Sequence, residues 1–169
     1  MRWCRQRRPN NSPSDPVLIA SYTAIRPGAQ GLFNRAVKLG LRIPYSHNEL
    51  VFSDGMSGSC SFIDQGIRLK RIEFQDDKWH FRKVDPRFSE DAAREFFERQ
   101  ALLPTSERIK YSIPLLFTFV FPYLPINASD DREVCCTCIG RALGIEDHRR
   151  YDPYELPLHV AAQSPSHFV

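Results

Sequence analysis

The sequence lacks several features that mark membrane, exported and metal-binding proteins. Its longest apolar run, residues 113–126, is broken by prolines and is shorter than the roughly 20 residues that a membrane span needs. No apolar segment follows the arginines near its start, so no secretory signal is expected. A zinc site at Cys135-x-x-Cys138 would need a second ligand pair of cysteines or histidines, and none is present. The sequence therefore predicts a cytoplasmic protein without a membrane span, a metal or another cofactor.

The cysteines also lack the pattern of a disulfide-bonded secreted domain. There are 5 of them, an odd number, and three are crowded at positions 135, 136 and 138. Neighbouring cysteines cannot easily all pair with distant partners, so a disulfide framework is not expected. This favours a reducing compartment.

The positive charge is not spread over the chain. The net charge is +3 among 169 residues, but Arg2, Arg5, Arg7 and Arg8 all lie close to the start, and the remainder is nearly neutral. A nucleic-acid-binding domain usually carries a basic stripe on its folded surface, so no nucleic-acid partner is expected. We predict a mobile basic arm over residues 1–14, with contact to an anionic surface as its alternative role, and one folded domain over residues 15–169.

Hydrophobic periodicity predicts an α+β fold. Alternating or short apolar runs, typical of strands, occur at residues 16–22, 45–55, 59–63, 66–74 and 79–84. Helices are expected at residues 28–39, before Gly40, from an N-cap at Ser89, at 112–121, at 134–144 and after Asp152. In the helix after Ser89, Ala92, Phe96 and Phe97 are expected to form the apolar side. The strands form an antiparallel meander in the middle of the chain, with helices on either side.

Cys135 is a candidate nucleophile because it stands at the start of a predicted helix that Gly144 ends. The helix dipole and unpaired amides there stabilise a thiolate, and the amides of Cys135 and Cys136 can donate to an oxyanion. Counting from Cys135 gives a coherent apolar stripe, whereas counting from Cys136 places glycines on it. The alternative is that all three neighbouring cysteines are small buried hydrophobes.

His47 is a candidate base for this nucleophile. In a strand, His47 and Glu49 share one face and Asn48 lies on the other. A carboxylate beside an imidazole orients it and raises its basicity, which a cysteine hydrolase requires of its base. The alternative is an ordinary solvent-exposed strand face. His80, on another predicted strand, is a weaker candidate.

Four ordered segments resemble the permuted branch of the NlpC-type papain-like superfamily, the YiiX-like group. They are the strand and turn at 46–55, the hairpin at 59–70 with Gly66-Ile67-Arg68, the Lys78-Trp79-His80-Phe81 strand, and the helix at 135–145 followed by Asp152-Pro153. Together the segments span about residues 16–160. The order of histidine before cysteine is what a circular permutation of a papain-like chain gives. The group usually has serine and glutamate after the nucleophile, where this chain has Cys136 and Thr137.

The resemblance implies a circularly permuted papain-like fold, in which a small antiparallel sheet packs against the nucleophile helix. It implies Cys135 as nucleophile and His47 as base. The third catalytic residue is Glu49 by its face, with Ser59 or Ser61 on the next strand as alternatives. The expected activity is hydrolysis of an amide, ester or thioester through an acyl-enzyme, without a cofactor. The expected partner is a peptide, a peptidoglycan-derived molecule or an acyl lipid.

Two other classes of function stay open from the sequence. One is a binding module on the same fold with an inactive site, in which Cys135 is unreactive and His47 is out of reach. The other is a redox or thiol protein that uses Cys135 and Cys138 as a reversible disulfide pair. The sequence makes no prediction about the oligomeric state.

Overall fold

The computed structural model of the chain describes residues 15–120, 129 and 131–162. The predicted basic arm, residues 1–14, lies outside the described residues. Across the described part, the strands and helices follow one another in the order β1 Leu18–Tyr22, α1 Ala29–Leu41, β2 Asn48–Val51, β3 Met56–Ser61, β4 Gly66–Arg71, β5 Trp79–Lys83, α2 Glu90–Leu102, β6 Lys110–Tyr111, α3 Ile113–Val120, β7 Arg132–Glu133, α4 Cys135–Ala142 and α5 Glu155–Val160. A short 3₁₀ helix, His148–Arg150, lies between α4 and α5. The predicted α+β class is confirmed.

The described strands form one sheet in the order β5-β1-β2-β3-β4-β6-β7. Strands β2, β3 and β4 make the predicted antiparallel meander, and only the β6–β7 pair within this described sheet is parallel. Strand β1 lies beside β2, with Ser21 opposite Asn48, and β5 returns to the far side of β1. The β2–β3 ladder ends early, since its last pair toward the start of β2 is Leu50 with Gly58.

Helix α4 fills the space beside the early end of that ladder. It is buried on nearly its whole circumference, since each of its residues except Arg141 is buried. Cys136, Cys138 and Ile139 join the main hydrophobic core with Leu50 and other residues of the sheet. Because apolar surface is removed from water on both sides of the helix, this packing fixes where α4 begins relative to β2 and β3.

Helix α2 covers the neighbouring part of the sheet at very short range. A Cβ atom built on Gly58 of β3 would lie 2.6 Å from the ring of Phe97 on α2. Phe97 is fully buried and meets the rings of Phe52 and Phe96 edge-on. Glycine at position 58 therefore allows the aromatic ring to rest directly on the backbone of the sheet.

Several predicted helix boundaries are confirmed. Ser89 caps α2, and its Oγ accepts a hydrogen bond from the N–H of Ala92 at 3.2 Å. Gly144 follows α4 with φ +73°, the left-handed conformation that glycine adopts without strain.

Other details of the prediction are wrong. Helix α1 does not stop before Gly40 but continues to Leu41, because Arg42 takes the left-handed conformation and its N–H bonds the carbonyl of Lys38. In α2 the buried alanine is Ala93 rather than Ala92. The direction in which a helix faces depends on its contacts with β4 and α4, and a short amphipathic pattern does not specify it to within one residue.

Candidate active site

Two elements that are far apart in the sequence meet at one point. The start of α4 supplies Cys135, and the residues at the start of β2 supply His47, Asn48 and Glu49. Thr137 fixes the first turn of the helix, because its Oγ1 accepts a hydrogen bond from the N–H of Val134 at 3.0 Å. The candidate nucleophile therefore stands at an anchored helix start that faces the sheet.

His47 and Glu49 are on the same face of the strand, as the alternation of side chains predicts. Nε2 of His47 lies 2.6 Å from Oε1 of Glu49. A carboxylate can only accept a hydrogen bond, so Nε2 must carry the proton and donate it. This leaves Nδ1 of His47 for the hydrogen bond with the side chain of Cys135. Glu49 thus selects the tautomer of the imidazole and holds its orientation.

The carboxylate of Glu49 is fully buried and is held by two further side chains. The hydroxyl of Ser57 on β3 donates to Oε2 at 2.9 Å. The guanidinium of Arg68 on β4 donates from Nη2 to Oε1, the same oxygen that His47 binds. Burial would raise the pKa of Glu49, but His47, Arg68 and Ser57 together hold that pKa below its usual range. Glu49 is therefore an ionised residue inside the protein.

Three donors surround the sulfur of Cys135. They are the thiol of Cys136, the side chain of His47 and the backbone N–H of Asn48. The Asn48 amide is free for this role because the β2–β3 ladder has ended at Leu50; in place of a ladder bond, the Asn48 carbonyl accepts from the Ser59 hydroxyl at 2.7 Å. The hydrogen bond from Cys136, followed by the bond and charge of His47, lowers the pKa of Cys135 well below its usual range in spite of burial.

The other described thiols show the opposite behaviour. Burial raises the pKa of Cys136, Cys138 and Cys60 above the ordinary value. All four described cysteines are free. The apolar stripe predicted for α4 does not distinguish Cys135 from Cys136, since both residues are buried. The two differ because Cys136 packs into the main core, whereas Cys135 faces His47.

His47 is well suited to carry a proton beside a thiolate. Burial alone would lower its pKa, but the charge and hydrogen bond of Glu49 and the side chain of Cys135 raise the pKa of His47 to about 9. The side chain of His47 keeps 14% of its surface exposed. The ring of Trp79 lies edge-on to the imidazole, with 6.4 Å between the two ring centroids. An imidazolium facing a thiolate is therefore the resting state that this arrangement favours at neutral pH.

The start of α4 also offers donors for a developing negative charge. The first N–H groups of an α-helix have no acceptor within the helix, and in α4 the N–H of Cys138 bonds the carbonyl of Val134, the residue before the helix. Cys135 and Cys136, whose amides the sequence predicts to form an oxyanion hole, precede Cys138 in the helix. They can stabilise an oxyanion formed next to the sulfur of Cys135.

The alternatives for the third residue take other roles. The hydroxyl of Ser59 is bonded to the carbonyl of Asn48, and that of Ser61 interacts with Asp64. Glu49 is the residue in contact with His47. Among the four described histidines, His80 is bonded to the hydroxyl of Tyr45 at 2.9 Å, and nothing places it at the thiol.

Sequence reasoning missed three contributors. Ser57 and Arg68 reach Glu49 from strands β3 and β4, and Asn48 contributes through its backbone. Arg68 lies within the Gly66-Ile67-Arg68 segment that carries part of the family resemblance, but no sequence pattern indicates that its side chain turns inward. Only the pairing of Arg68 with Ser59, which lies beside the start of β2, brings it there.

A second buried carboxylate lies beside the helix start but faces away from the thiol. Oε1 of Glu133 lies 3.3 Å from Nε2 of His148 and 3.4 Å from Nη1 of Arg141. Nδ1 of His148 is within 3.2 Å of the carbonyl of Ile145, so both ring nitrogens are engaged. This histidine–glutamate pair joins β7 to the 3₁₀ helix that follows α4.

Comparisons with protein-family models, with curated proteins and with solved structures gave no match to this chain. Within the described ranges, no group of three or more His, Cys, Asp or Glu side chains is arranged to hold a metal ion. The helices of those ranges include none with the length and apolar character of a membrane span.

Proposed function

We propose that this protein is a cysteine hydrolase with a circularly permuted papain-like fold. The observation that carries the proposal is the contact of Cys135, at the start of a buried helix, with an imidazole that Glu49 orients through a 2.6 Å hydrogen bond. Nucleophilic catalysis requires a nucleophile in contact with a base, and a base in contact with an orienting group.

The topology supports the fold assignment. Papain-like enzymes place the nucleophile on a helix that packs against an antiparallel sheet bearing the histidine, and here α4 packs on strands β2 and β3 in this way. The base precedes the nucleophile in the chain, as a circular permutation requires. The resemblance of the four sequence segments and the arrangement of the elements point to the same family.

The proposed reaction is transfer of an acyl group to water. The thiolate of Cys135 attacks the carbonyl carbon of an amide, ester or thioester, and the amides at the start of α4 stabilise the resulting oxyanion. The imidazolium of His47 gives its proton to the leaving group as the bond between that group and the carbonyl carbon breaks, and the acyl group stays on the sulfur of Cys135 as a thioester. Neutral His47 then takes a proton from water, which attacks the thioester and releases the acid and the thiolate.

A thiol-exchange function is a weaker fit to the described cysteines. A reversible disulfide between Cys135 and Cys138 needs a second thiol that ionises readily. Cys138 is fully buried within the main core, and burial raises its pKa. Cys135 alone among the described thiols combines a lowered pKa with a neighbouring base.

The test is the pH dependence of alkylation by iodoacetamide, read by mass spectrometry for each cysteine. Cys135 is expected to react selectively and with a thiolate pKa well below the usual ~8.5. His47→Ala removes the imidazolium and is expected to return that pKa toward the ordinary value. His80→Ala is the matched control, because His80 is bonded to Tyr45 and is not expected to affect the thiol.

Activity is then measured on panels of fluorogenic acyl esters, thioesters and peptide amides, with Cys135→Ala as the blank. Peptide, peptidoglycan-derived and acyl-lipid substrates are separated by which panel is turned over. If all cysteines react alike, or if His47→Ala leaves the reactivity of Cys135 unchanged, the hydrolase proposal is wrong. The inactive binding module is then the better description.

A further inference from the structure

We propose that Arg68 is a positioning residue of this site, whose guanidinium supplies the positive charge that lets Cys135 and Glu49 be ionised at the same time. The inference rests on the proposed function and deepens it. It assigns to Arg68 a role that acts through Glu49 and His47, since nothing places the guanidinium against the reacting sulfur itself.

The geometry gives Arg68 direct access to the orienting carboxylate. Its side chain is 10% exposed, and that of Glu49 is 1% exposed. Nη2 of Arg68 and Nε2 of His47 both donate to Oε1 of Glu49, so one oxygen is shared by two cationic groups. This is a buried charge network rather than a surface ion pair, and solvent screens it little.

A count of charges shows why the arginine is needed. A thiolate and an imidazolium together are neutral, but the carboxylate of Glu49 adds a negative charge to the same buried region. A buried net charge is costly, and a group in such a place binds or loses a proton to remove it. Without Arg68 the cluster would bind one more proton. On the sulfur of Cys135, that proton would abolish the nucleophilicity of the thiolate. With Arg68 the four groups sum to zero.

Arg68 makes one other ion pair, and that pair does not use up its charge. Nε of Arg68 donates to Oδ2 of Asp64 at 2.7 Å. Nζ of Lys70 donates to the other oxygen of Asp64 at 2.8 Å. Because Lys70 balances Asp64, the charge of Arg68 remains for Glu49.

The other titratable groups around the site do not replace Arg68. The thiols of Cys60 on β3 and of Cys136 and Cys138 on α4 stay protonated, as does the phenol of Tyr111 on β6, since burial raises the pKa of each. Glu133 on β7 is paired with His148, Arg141 and Arg149. Asp152, before α5, acts on Cys136 and adds negative charge. Within the described residues, Arg68 is the cation that contacts Glu49 besides His47.

The experiment is the same alkylation profile of Cys135, measured on the full chain in three variants. Arg68→Met removes the charge at similar volume, Arg68→Gln removes the charge but keeps an N–H donor, and Arg68→Lys keeps the charge. Asp64→Asn is the matched control, because it removes the charge of the other group that Arg68 contacts and leaves Glu49 paired. Thermal unfolding of each variant verifies that it is folded.

We expect Arg68→Met to raise the apparent pKa of Cys135 by at least one unit, so that alkylation at pH 6 slows by about tenfold or more. Arg68→Lys and Asp64→Asn are expected to stay within about threefold of the wild-type rate, on the scale where one pKa unit is tenfold. Arg68→Gln is expected to be slowed like Arg68→Met, because it also lacks the charge. A residue that served only to support the fold would not give a reactivity of Cys135 that follows the charge at position 68.

The outcomes separate this inference from the proposed function. If His47→Ala slows alkylation while Arg68→Met does not, the hydrolase proposal stands and the role of Arg68 is wrong. An Arg68→Lys variant that is as slow as Arg68→Met also overturns it. If Arg68→Met does not fold, Arg68→Gln decides, since a Cys135 alkylation rate equal to that of the wild type in that protein contradicts the charge-balance argument.

Discussion

The contact between Gly58 and Phe97 gives a sharp test of how α2 is seated on the sheet. In Gly58→Ala the new methyl carbon would lie 2.6–2.7 Å from three ring atoms of Phe97. The ring would have to move by roughly 0.8 Å to reach ordinary contact distance. It has little room, because it is fully buried and meets Phe52 and Phe96 at centroid distances of 6.1 and 5.3 Å.

Overpacking of this kind costs about 1–3 kcal/mol. For a chain of this length the melting temperature should then fall by roughly 2–12 °C. The assay is urea and thermal unfolding of Gly58→Ala, Phe97→Leu and the double variant. Because Phe97→Leu removes the ring that the methyl group meets, the double variant should be more stable than the sum of the single effects predicts, by at least about 1 kcal/mol.

Additivity in this cycle would refute the reasoning, since it would mean that the methyl group and the ring do not compete for the same space. A loss of less than about 0.5 kcal/mol in Gly58→Ala, the size of an ordinary surface effect, would refute it as well. In that case α2 would be held less closely to β3 than the structure shows.

Three further predictions concern helix ends and the second carboxylate. Ser89→Ala should lower the free energy of unfolding by about 1 kcal/mol through loss of the α2 cap, measured by urea denaturation, whereas the exposed Ser106→Ala should leave it unchanged. Gly144→Ala should lower the free energy of unfolding by about 1–2 kcal/mol through its φ of +73° alone, because no atom lies within 4 Å of the new carbon. Gly144→Asn should lower it less in the same assay. Glu133→Gln should destabilise the protein by about 1–3 kcal/mol. Burial raises the pKa of Glu133, but the bonds from His148 and Thr137 outweigh it and hold the pKa below its usual range. This stabilisation is therefore present at neutral pH and is lost on acidification through the folded pKa, so unfolding curves of wild type and variant should converge at low pH; a difference that grows on acidification would contradict the assignment.

Local patterns in the sequence predicted much of the secondary structure and part of the site. The cap at Ser89, the stop at Gly144 and the alternation that places His47 with Glu49 all depend on residues within a few positions of one another. Such features follow from the backbone geometry of a single helix or strand. For these three features one element alone fixes the outcome, and the sequence was sufficient.

The missed features of the candidate site all depend on how elements meet. Ser57 and Arg68 reach Glu49 only because β3 and β4 pair with a particular register. The amide of Asn48 is available to the sulfur only because the β2–β3 ladder ends at Leu50. The apolar pattern of α4 could not identify its outward face, since the helix is buried on nearly all sides. Tertiary pairing decides each of these, and a local pattern does not contain it.

The site takes its base, its amide donor and its carboxylate from three consecutive residues, 47–49. Side chains of a strand alternate between its two faces, so a shift of β2 by one residue relative to β1 and β3 would move all three contributions at once. A chain that folded with this shift would keep its sheet but would present Asn48 where Glu49 belongs, and its sulfur would lack both the imidazolium and the amide. Correct strand registration and the contacts of the Cys135 sulfur are thus acquired together during folding. Under the proposed function, we expect the fraction of molecules whose Cys135 reacts rapidly to report the fraction of a preparation that has the correct register.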